Sequence, residues 1–345
     1  VKRVSIFDVA EKANVSIATV SRIVNNADYP ISVKLRKRVQ KVIEELNYVP
    51  NRSAQQLRTS SSRAIGLVVR DIADPYFSQI AKGVTETAME LGHMALVCNS
   101  ERNARFEYNY LDLLLHQGVE GIIIAGGGYA DGNSSVEFQN KVAKIRKQGI
   151  QIIVLAPHGT DIPLVSVDNV KLGEDVCSFL IERGHRNIAY IGGDPNVLTD
   201  RDRLRGFKNA LVNQSLPYNE DYVIPGSYTA AVGYKTCEAL FSKKPNISAI
   251  FCSNDNIAVG VLRFLHEKGI LVPDDISIIS IGDLPDSDHS IPPLTTARLP
   301  LFELGRQSVH IICGEKMMQD QILLLPYMIV ERKSVKTIRE PVHIS

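Results

Sequence analysis

Apolar positions recur at two different spacings along this chain of 345 residues, and the change of spacing divides it. In the first stretch Val9, Ala10 and Ala13, then Val20, Ile23 and Val24, follow the three- and four-residue steps of short amphipathic helices. Leu35, Val39, Val42, Ile43 and Leu46 repeat that pattern over a longer third helix. The helix ends are also written in the chain. Ser5 with Asp8 three residues later makes a capping box, Asn14 suits a left-handed C-terminal turn, and Ser16 and Ser32 cap the next two helices. Pro50 closes this head. Asn51–Arg58 has room for only about two turns of helix, too few to hold together alone in water. Ser60, Ser61 and Ser62 read as a flexible joint.

From Ala64 the period changes to short, wholly apolar runs alternating with helical stretches. AIGLVV (64–69), MALVC (94–98), GIIIA (121–125) and IIVLA (152–156) form one set of strands. IAYIGG (188–193), AIFCS (249–253) and ISIISI (276–281) form a second. Helices are predicted near 77–91, 105–117, 137–147, 171–184, 200–213, 229–242 and 255–268. Strands apolar on both faces belong to parallel sheets covered by helices on both sides. Two such sets predict an α/β body of two doubly wound lobes, with any ligand held outside the carboxyl ends of the strands. An amphipathic helix is predicted over Leu301–Cys313.

Composition adds a charge split. The net charge of +1 conceals +7 in residues 1–63 and −6 in the remainder, which suits a polyanionic partner for the head alone. A hydrophobic content of 44% supplies real cores, and no apolar run approaches the roughly 20 residues of a membrane span. No charged-then-apolar leader opens the chain, so a cytoplasmic protein is expected. Cys98, Cys177, Cys237, Cys252 and Cys313 lie far apart without metal or redox spacing, so free thiols are expected, with no metal and no cofactor.

Periodicity alone favours an ordinary helical hairpin at the N-terminus; the exposed residue types argue for a helix-turn-helix. Ile17, Ala18, Thr19, Ser21 and Arg22 crowd the start and outer side of the second helix, the part such a motif presents to base edges. Arg22 can donate two hydrogen bonds to guanine, and Ile17 and Ala18 can meet thymine methyls. With Ser5, Ser16 and Asn25 these form the head's candidate DNA-binding set. Most of the basic residues on the outer side of the third helix, Lys34, Arg36, Lys37, Arg38 and Lys41, read as a solvated face.

The run DVAEKANVSIATVSRIVNN closely resembles the N-terminal signature of the LacI/GalR family of bacterial transcriptional repressors. That resemblance implies a three-helix head over 1–49, a hinge helix and linker over 50–62, and a periplasmic-binding-protein-like core of type I over 63–340. By the same resemblance lobe 1 takes about 63–164 and 291–320, and lobe 2 about 165–290 and 321–340. Asn51, Ala54, Gln55 and Leu57 then join the DNA-binding set, Leu57 as an apolar wedge in the minor groove. In the core the resemblance implies effector contacts from Tyr76 and Phe77 after the first strand, Asp168 of VSVDN, Arg201, Tyr228, the Asn254–Asp255 pair and Asp283. One departure stands out: Gly282 replaces an aspartate that commonly accepts sugar hydroxyls in the family, which permits a larger or less hydroxylated ligand. The implied partners are pseudo-palindromic double-stranded operator DNA, a small effector such as a carbohydrate, and a second copy of the chain. No leucine-heptad extension follows the core, so a dimer is expected rather than a tetramer.

Two other classes compete. A transporter-associated solute-binding protein fits the body but leaves the basic head unexplained. An enzyme fits the doubly wound sheet, but no G-x-G-x-x-G opens a helix; Gly126–Gly128 and Gly192–Gly193 lack the spacing, and the eight histidines are scattered. The reading is a non-enzymatic, effector-controlled repressor.

Overall fold

The computed structural model describes residues 4–24, 29–48, 62–130, 132–159, 161–318 and 320–338. Asn25, Asn51, Ala54, Gln55, Leu57 and the expected hinge helix lie outside the described residues. The chain divides into two units, one ending at Ser62 and one beginning at Arg63.

Among the described residues the first unit holds three helices, α1 (Ile6–Ala13), α2 (Ile17–Val24) and α3 (Val33–Glu45). Both halves of the capping box form at α1: Asp8 N donates to Ser5 Oγ at 3.4 Å, and Ser5 N donates to the Asp8 carboxylate at 2.7 Å. Asn14 then takes the left-handed conformation, φ +52°, that turns the chain toward α2. Val9, Ala10 and Ala13 pack on Val20, Ile23, Val39 and Val42, and Tyr48 closes this small core. Lys34, Lys37, Arg38 and Lys41 stay exposed, as a solvated face requires.

The second unit contains two six-stranded sheets. Lobe 1 is built on β1 (Ala64–Val69), β2 (Met94–Asn99), β3 (Gly121–Ile124), β4 (Gln151–Val154), β5 (Leu164–Ser166) and β11 (Ile322–Leu324), in the order β11-β5-β4-β3-β1-β2. Lobe 2 is built on β6 (Ile188–Ile191), β7 (Val223–Ile224), β8 (Ala249–Cys252), β9 (Ser277–Gly282), β10 (Thr295–Arg298) and β12 (Met328–Val330), in the order β12-β10-β9-β8-β6-β7. All pairings are parallel except β10 with β12. β1, β3, β6, β8 and β9 are buried throughout, which is why their sequences are unbroken apolar runs. β2 is an edge strand, with Met94 and Val97 exposed.

Sheet membership places the three crossings between lobes later than the sequence suggests. β5 still pairs with β4 and β11, so the first crossing follows Ser166 rather than Leu164. β10 pairs with β9 through Thr295 opposite Ile279, so residues 291–298 belong to lobe 2 and the second crossing falls after Arg298. β11 returns the chain to lobe 1, and the last crossing follows Leu324.

Helices α4 (Pro75–Glu90), α5 (Ala104–Gln117), α6 (Gly132–Lys147) and α12 (Leu301–Ile312) cover lobe 1. In lobe 2, α7 (Asn169–Glu182), α8 (Leu198–Asn213), α9 (Ala230–Ser242) and α10 (Asp255–Glu267) do the same, with the short α11 (Pro285–His289) after β9. Three helix pairs meet backbone to backbone through reciprocal glycines: Gly83 with Gly305, Gly173 with Gly206, and Gly233 with Gly260. A Cβ at Gly206 would lie 2.0 Å from the Val170 carbonyl oxygen, so no side chain fits without separating α7 from α8. The apolar stripe of α12, with Leu304, Val309 and Ile312, is used against α4 within lobe 1.

His158 is buried in lobe 1, stacked on Phe138 at 4.9 Å, with Nδ1 at 2.8 Å from the Ala156 carbonyl and Nε2 without a partner. Burial drives its pKa down from 6.5 to about 4, so the ring is neutral in the folded chain.

Two stability outcomes follow from these contacts. Gly206→Ala should cost about 1–3 kcal/mol in denaturant unfolding, because overpacking cannot be relieved against backbone. An unchanged midpoint would mean the two helices are not held at this separation. For His158, the unfolded chain binds a proton below pH 6.5 that the folded chain takes up only near pH 4. Its contribution is therefore complete above pH 6.5 and lost as pH falls from 6.5 to 4, by roughly 3 kcal/mol at the lower end. Melting temperatures across that range should fall less steeply in His158→Gln than in the parent; parallel slopes would refute the assignment.

Candidate functional site

In the head, the start of α2 presents the residues expected to face a nucleic acid. Ser16 caps the helix, its Oγ accepting from Thr19 N at 3.1 Å and lying 2.9 Å from Thr19 Oγ1. Ile17, Ala18 and Arg22 are exposed, and Thr19 and Ser21 are half-buried. The opposite side of the same helix carries the buried Val20 and Ile23, so packing fixes which face is offered. Arg22 lies 3.9 Å over the ring of Tyr29, itself half exposed, which holds the guanidinium against the surface by a cation–π contact. Ser5 is spent on the α1 cap.

In the core, a cavity of about 190 Å³ opens between the lobes. Its wall is made almost entirely from residues just beyond the carboxyl ends of strands. Arg70 follows β1, Arg102 follows β2, Gly126, Gly127 and Tyr129 follow β3, and Ala156 follows β4. From the other lobe come Asp194 and Val197 after β6, Tyr228 after β7, Asn254 after β8, Gly282 at the end of β9 and Leu284 after it. The lobes also touch directly beside the cavity. Ala130 N donates to the Asn196 carbonyl at 2.7 Å, and Leu198 N to the Gly128 carbonyl at 2.9 Å.

Of the expected effector contacts, Tyr76, Phe77, Tyr228 and Asn254 line this cavity. Asp74 caps α4, its carboxylate accepting from Tyr76 N at 3.0 Å, and so points both rings inward, 5.0 Å apart and edge to face. Asn254 caps α10 through Ile257 N at 2.9 Å. Burial raises the pKa of Tyr228, so its hydroxyl stays protonated.

The structure places the other four elsewhere. Asp168 is exposed and caps α7 through Val170 N and Lys171 N. Arg201 is exposed, its Nε donating to the Pro195 carbonyl at 2.8 Å. Two residues on, Arg203 faces inward: about 200° around the helix separates the two. Arg203 is 5% exposed and lines the cavity, its guanidinium donating to Asn169 Oδ1 at 3.2 Å and to the Ser253 carbonyl at 2.7 Å. Asp255 is buried beneath the cavity and accepts from Leu284 N at 2.8 Å and from the hydroxyls of Ser280, Ser287 and Thr296. Its carboxylate ties the loop after β9 to the ends of β9 and β10. Asp283, at φ +54°, turns its carboxylate away to Arg298 and Arg332, at 2.5 and 2.6 Å.

Five charged residues on the wall escaped the sequence reading: Arg70, Asp74, Arg102, Asp194 and Arg203. Arg70, Arg102 and Asp194 lie within three residues of a strand end, and that position is the signal that marks them. Arg102 lies 2.8 Å from Asp74 and 5.3 Å from the Tyr228 ring, a contact from lobe 1 to lobe 2. Arg70 is 5% exposed, over the Tyr129 ring at 4.2 Å, and donates to the Gly127 carbonyl. Its carboxylate neighbour, Glu107, is 3.9 Å away and has its pKa raised by burial. Asp200, under the loop after β6, accepts from Gly193 N at 2.9 Å and is likewise raised by burial. Among the described residues no cluster of His, Cys, Asp and Glu could hold a metal ion, and no helix is long and apolar enough to cross a membrane.

Comparison with known proteins agrees with the division into head and core. Residues 5–51 match the bacterial regulatory proteins of the lacI family, and residues 62–322 match the periplasmic binding proteins and sugar binding domain of LacI family. The chain is similar to the HTH-type transcriptional regulator DegA of Bacillus subtilis, 31% identical over 96% of this chain and 98% of that protein. It is also similar to the HTH-type transcriptional repressor CytR of Escherichia coli, 30% identical over 92% of this chain and 94% of that one. Among solved structures, the Lac repressor dimer bound to operator and an anti-inducer superposes with a TM-score of 0.85, at 28% identity over 97% of this chain and 100% of the other. Head, core and relatives therefore converge, and the chain belongs to the LacI family of bacterial regulatory proteins.

Proposed function

We propose that this protein is a cytoplasmic, dimeric transcriptional repressor whose grip on operator DNA is set by a small metabolite bound between the core lobes. The observation that carries the reading is the coexistence in one chain of a helix-turn-helix face and a cavity built from both lobes. Each head reads half of a pseudo-palindromic operator, with α2 in the major groove. Arg22 takes guanine, Ile17, Ala18, Thr19 and Ser21 complete the base-edge contacts, Ser16 and Asn25 hold phosphates, and Ser5 serves the head through its α1 cap. Asn51, Ala54, Gln55 and Leu57 form the hinge contacts in the minor groove.

The effector contacts Tyr76, Phe77, Tyr228, Asn254 and Arg203. A ligand that binds one arrangement of the lobes better than another shifts the population between them, and no other coupling is needed. Sugars and related metabolites suit the aromatic walls and hydrogen-bonding groups.

Arg22→Ala should cost about 1–3 kcal/mol on the cognate operator and relax base choice at one position per half-site, read by binding to a set of single-base variants. A uniform loss on every sequence would instead make Arg22 a phosphate contact. Arg203→Gln should abolish or strongly weaken the effector's influence on operator binding, while Arg201→Gln should leave it near that of the parent. The reverse ranking would move the site to the outer face of α8.

A further inference from the structure

We propose that the effector carries an anionic group, a carboxylate or a phosphate, on a body with flat or apolar faces, and that Arg70 and Arg203 are its charge partners. The inference rests on the reading of the cleft as an effector site, and narrows it. Both side chains are 5% exposed and stand on the cavity wall, one from each lobe. A buried guanidinium is costly without a counter-charge in hydrogen-bonding reach, and neither has one. Arg203 donates to two neutral acceptors, Asn169 Oδ1 and the Ser253 carbonyl, and forms no ion pair among the described residues. Arg70 has Glu107 only at 3.9 Å, beyond hydrogen-bond distance, and its buried Nε has no partner. Burial biases Glu107 toward its neutral acid, which leaves the Arg70 charge still less offset.

Arg102 makes the contrast. Its charge is matched by Asp74 at 2.8 Å and Asp71 at 3.7 Å. The wall's other carboxylate, Asp194, accepts from Asn196 N at 2.8 Å. Three guanidiniums thus face two carboxylates, one of them committed to Arg102. Thr199 Oγ1 adds a hydroxyl on the wall that is buried and without a partner, a donor suited to an anionic oxygen. At the end of β9, Gly282 offers no side-chain acceptor for a sugar hydroxyl. The rings of Tyr76, Phe77, Tyr129 and Tyr228 supply the surfaces for the body. An anion between Arg70 and Arg203 would join the lobes, which is what an effector of lobe closure must do.

The test uses the full chain and matched probes that differ only in charge: glucose, glucuronate and glucose 6-phosphate, then ribose, ribonate and ribose 5-phosphate, then adenosine and adenosine monophosphate. Melting shifts find the binders, and titration calorimetry measures them. The expected result is that an acidic member binds more tightly than its neutral parent by about tenfold or more, and weakens as salt rises. Its affinity should fall by about tenfold in Arg70→Gln and Arg203→Gln, and less in Arg203→Lys. A carboxylate or a phosphate winner identifies the head group. A neutral probe that binds as tightly as its acidic partners, with Arg70→Gln within about twofold of the parent, overturns the inference and leaves the effector reading intact. No binding by any probe, acidic or neutral, overturns the effector reading and this inference with it. If Arg203→Gln does not fold, the acidic-against-neutral comparison on the parent chain decides by itself.

Discussion

A parallel strand can be followed by another in the same direction only if the chain climbs back over one face of the sheet, and everything at the cleft depends on that constraint. It gathers the carboxyl ends of strands at one edge of each sheet. The two lobes set those edges against each other, so residues that are far apart in the chain, such as Arg70 and Tyr228, share one wall. The strands themselves carry no chemistry; β1, β3, β6 and β8 are buried throughout and only hold the edge in place. The glycine-to-glycine helix crossings serve the same end, because a lobe whose helices sit at backbone contact leaves little freedom in the loops above them.

The alternation of strand and helix was legible because wholly buried strands must be wholly apolar, and because the helices carry caps whose chemistry is local. What was not legible was held by position rather than by pattern. β5, β7, β11 and β12 have two or three residues each, too few to show any period, and exist because an existing sheet offers them an edge. The boundaries between lobes moved for the same reason: TTAR looks like a linker until the buried Ser280 and Ile281 beside it supply a ladder.

The site residues divide along a similar line. Tyr76, Phe77, Tyr228 and Asn254, which the family resemblance implied, do line the cavity. Arg201 and Arg203 cannot be told apart by type or by distance from the strand; only the rotation of α8, set by Phe207 and Gly206 packing inward, decides between them. Asp283 shows the limit most sharply. The resemblance implied it at the cleft, but a left-handed backbone at that one residue sends its carboxylate to Arg298 and Arg332 instead.

Gly282 and Asp255 are two parts of one arrangement. At its φ of +148°, a Cβ on residue 282 would lie 2.8 Å from the Asp255 carboxylate, in a conformation that side chains rarely adopt. Asp255 in turn takes its hydrogen bonds from the loop that starts at Leu284 and from both neighbouring strands, so it cannot retreat without loosening all of them. A carboxylate already fixed beneath the floor, with its lone pairs taken, thus goes with a floor residue that has no side-chain acceptor of its own. Discrimination between ligands then falls to the groups that still have hydrogen-bonding capacity on the wall, among them the guanidiniums of Arg70 and Arg203 and the hydroxyl of Thr199. The polarity of the cleft is set in part by how this chain folds the end of β9, before any ligand arrives.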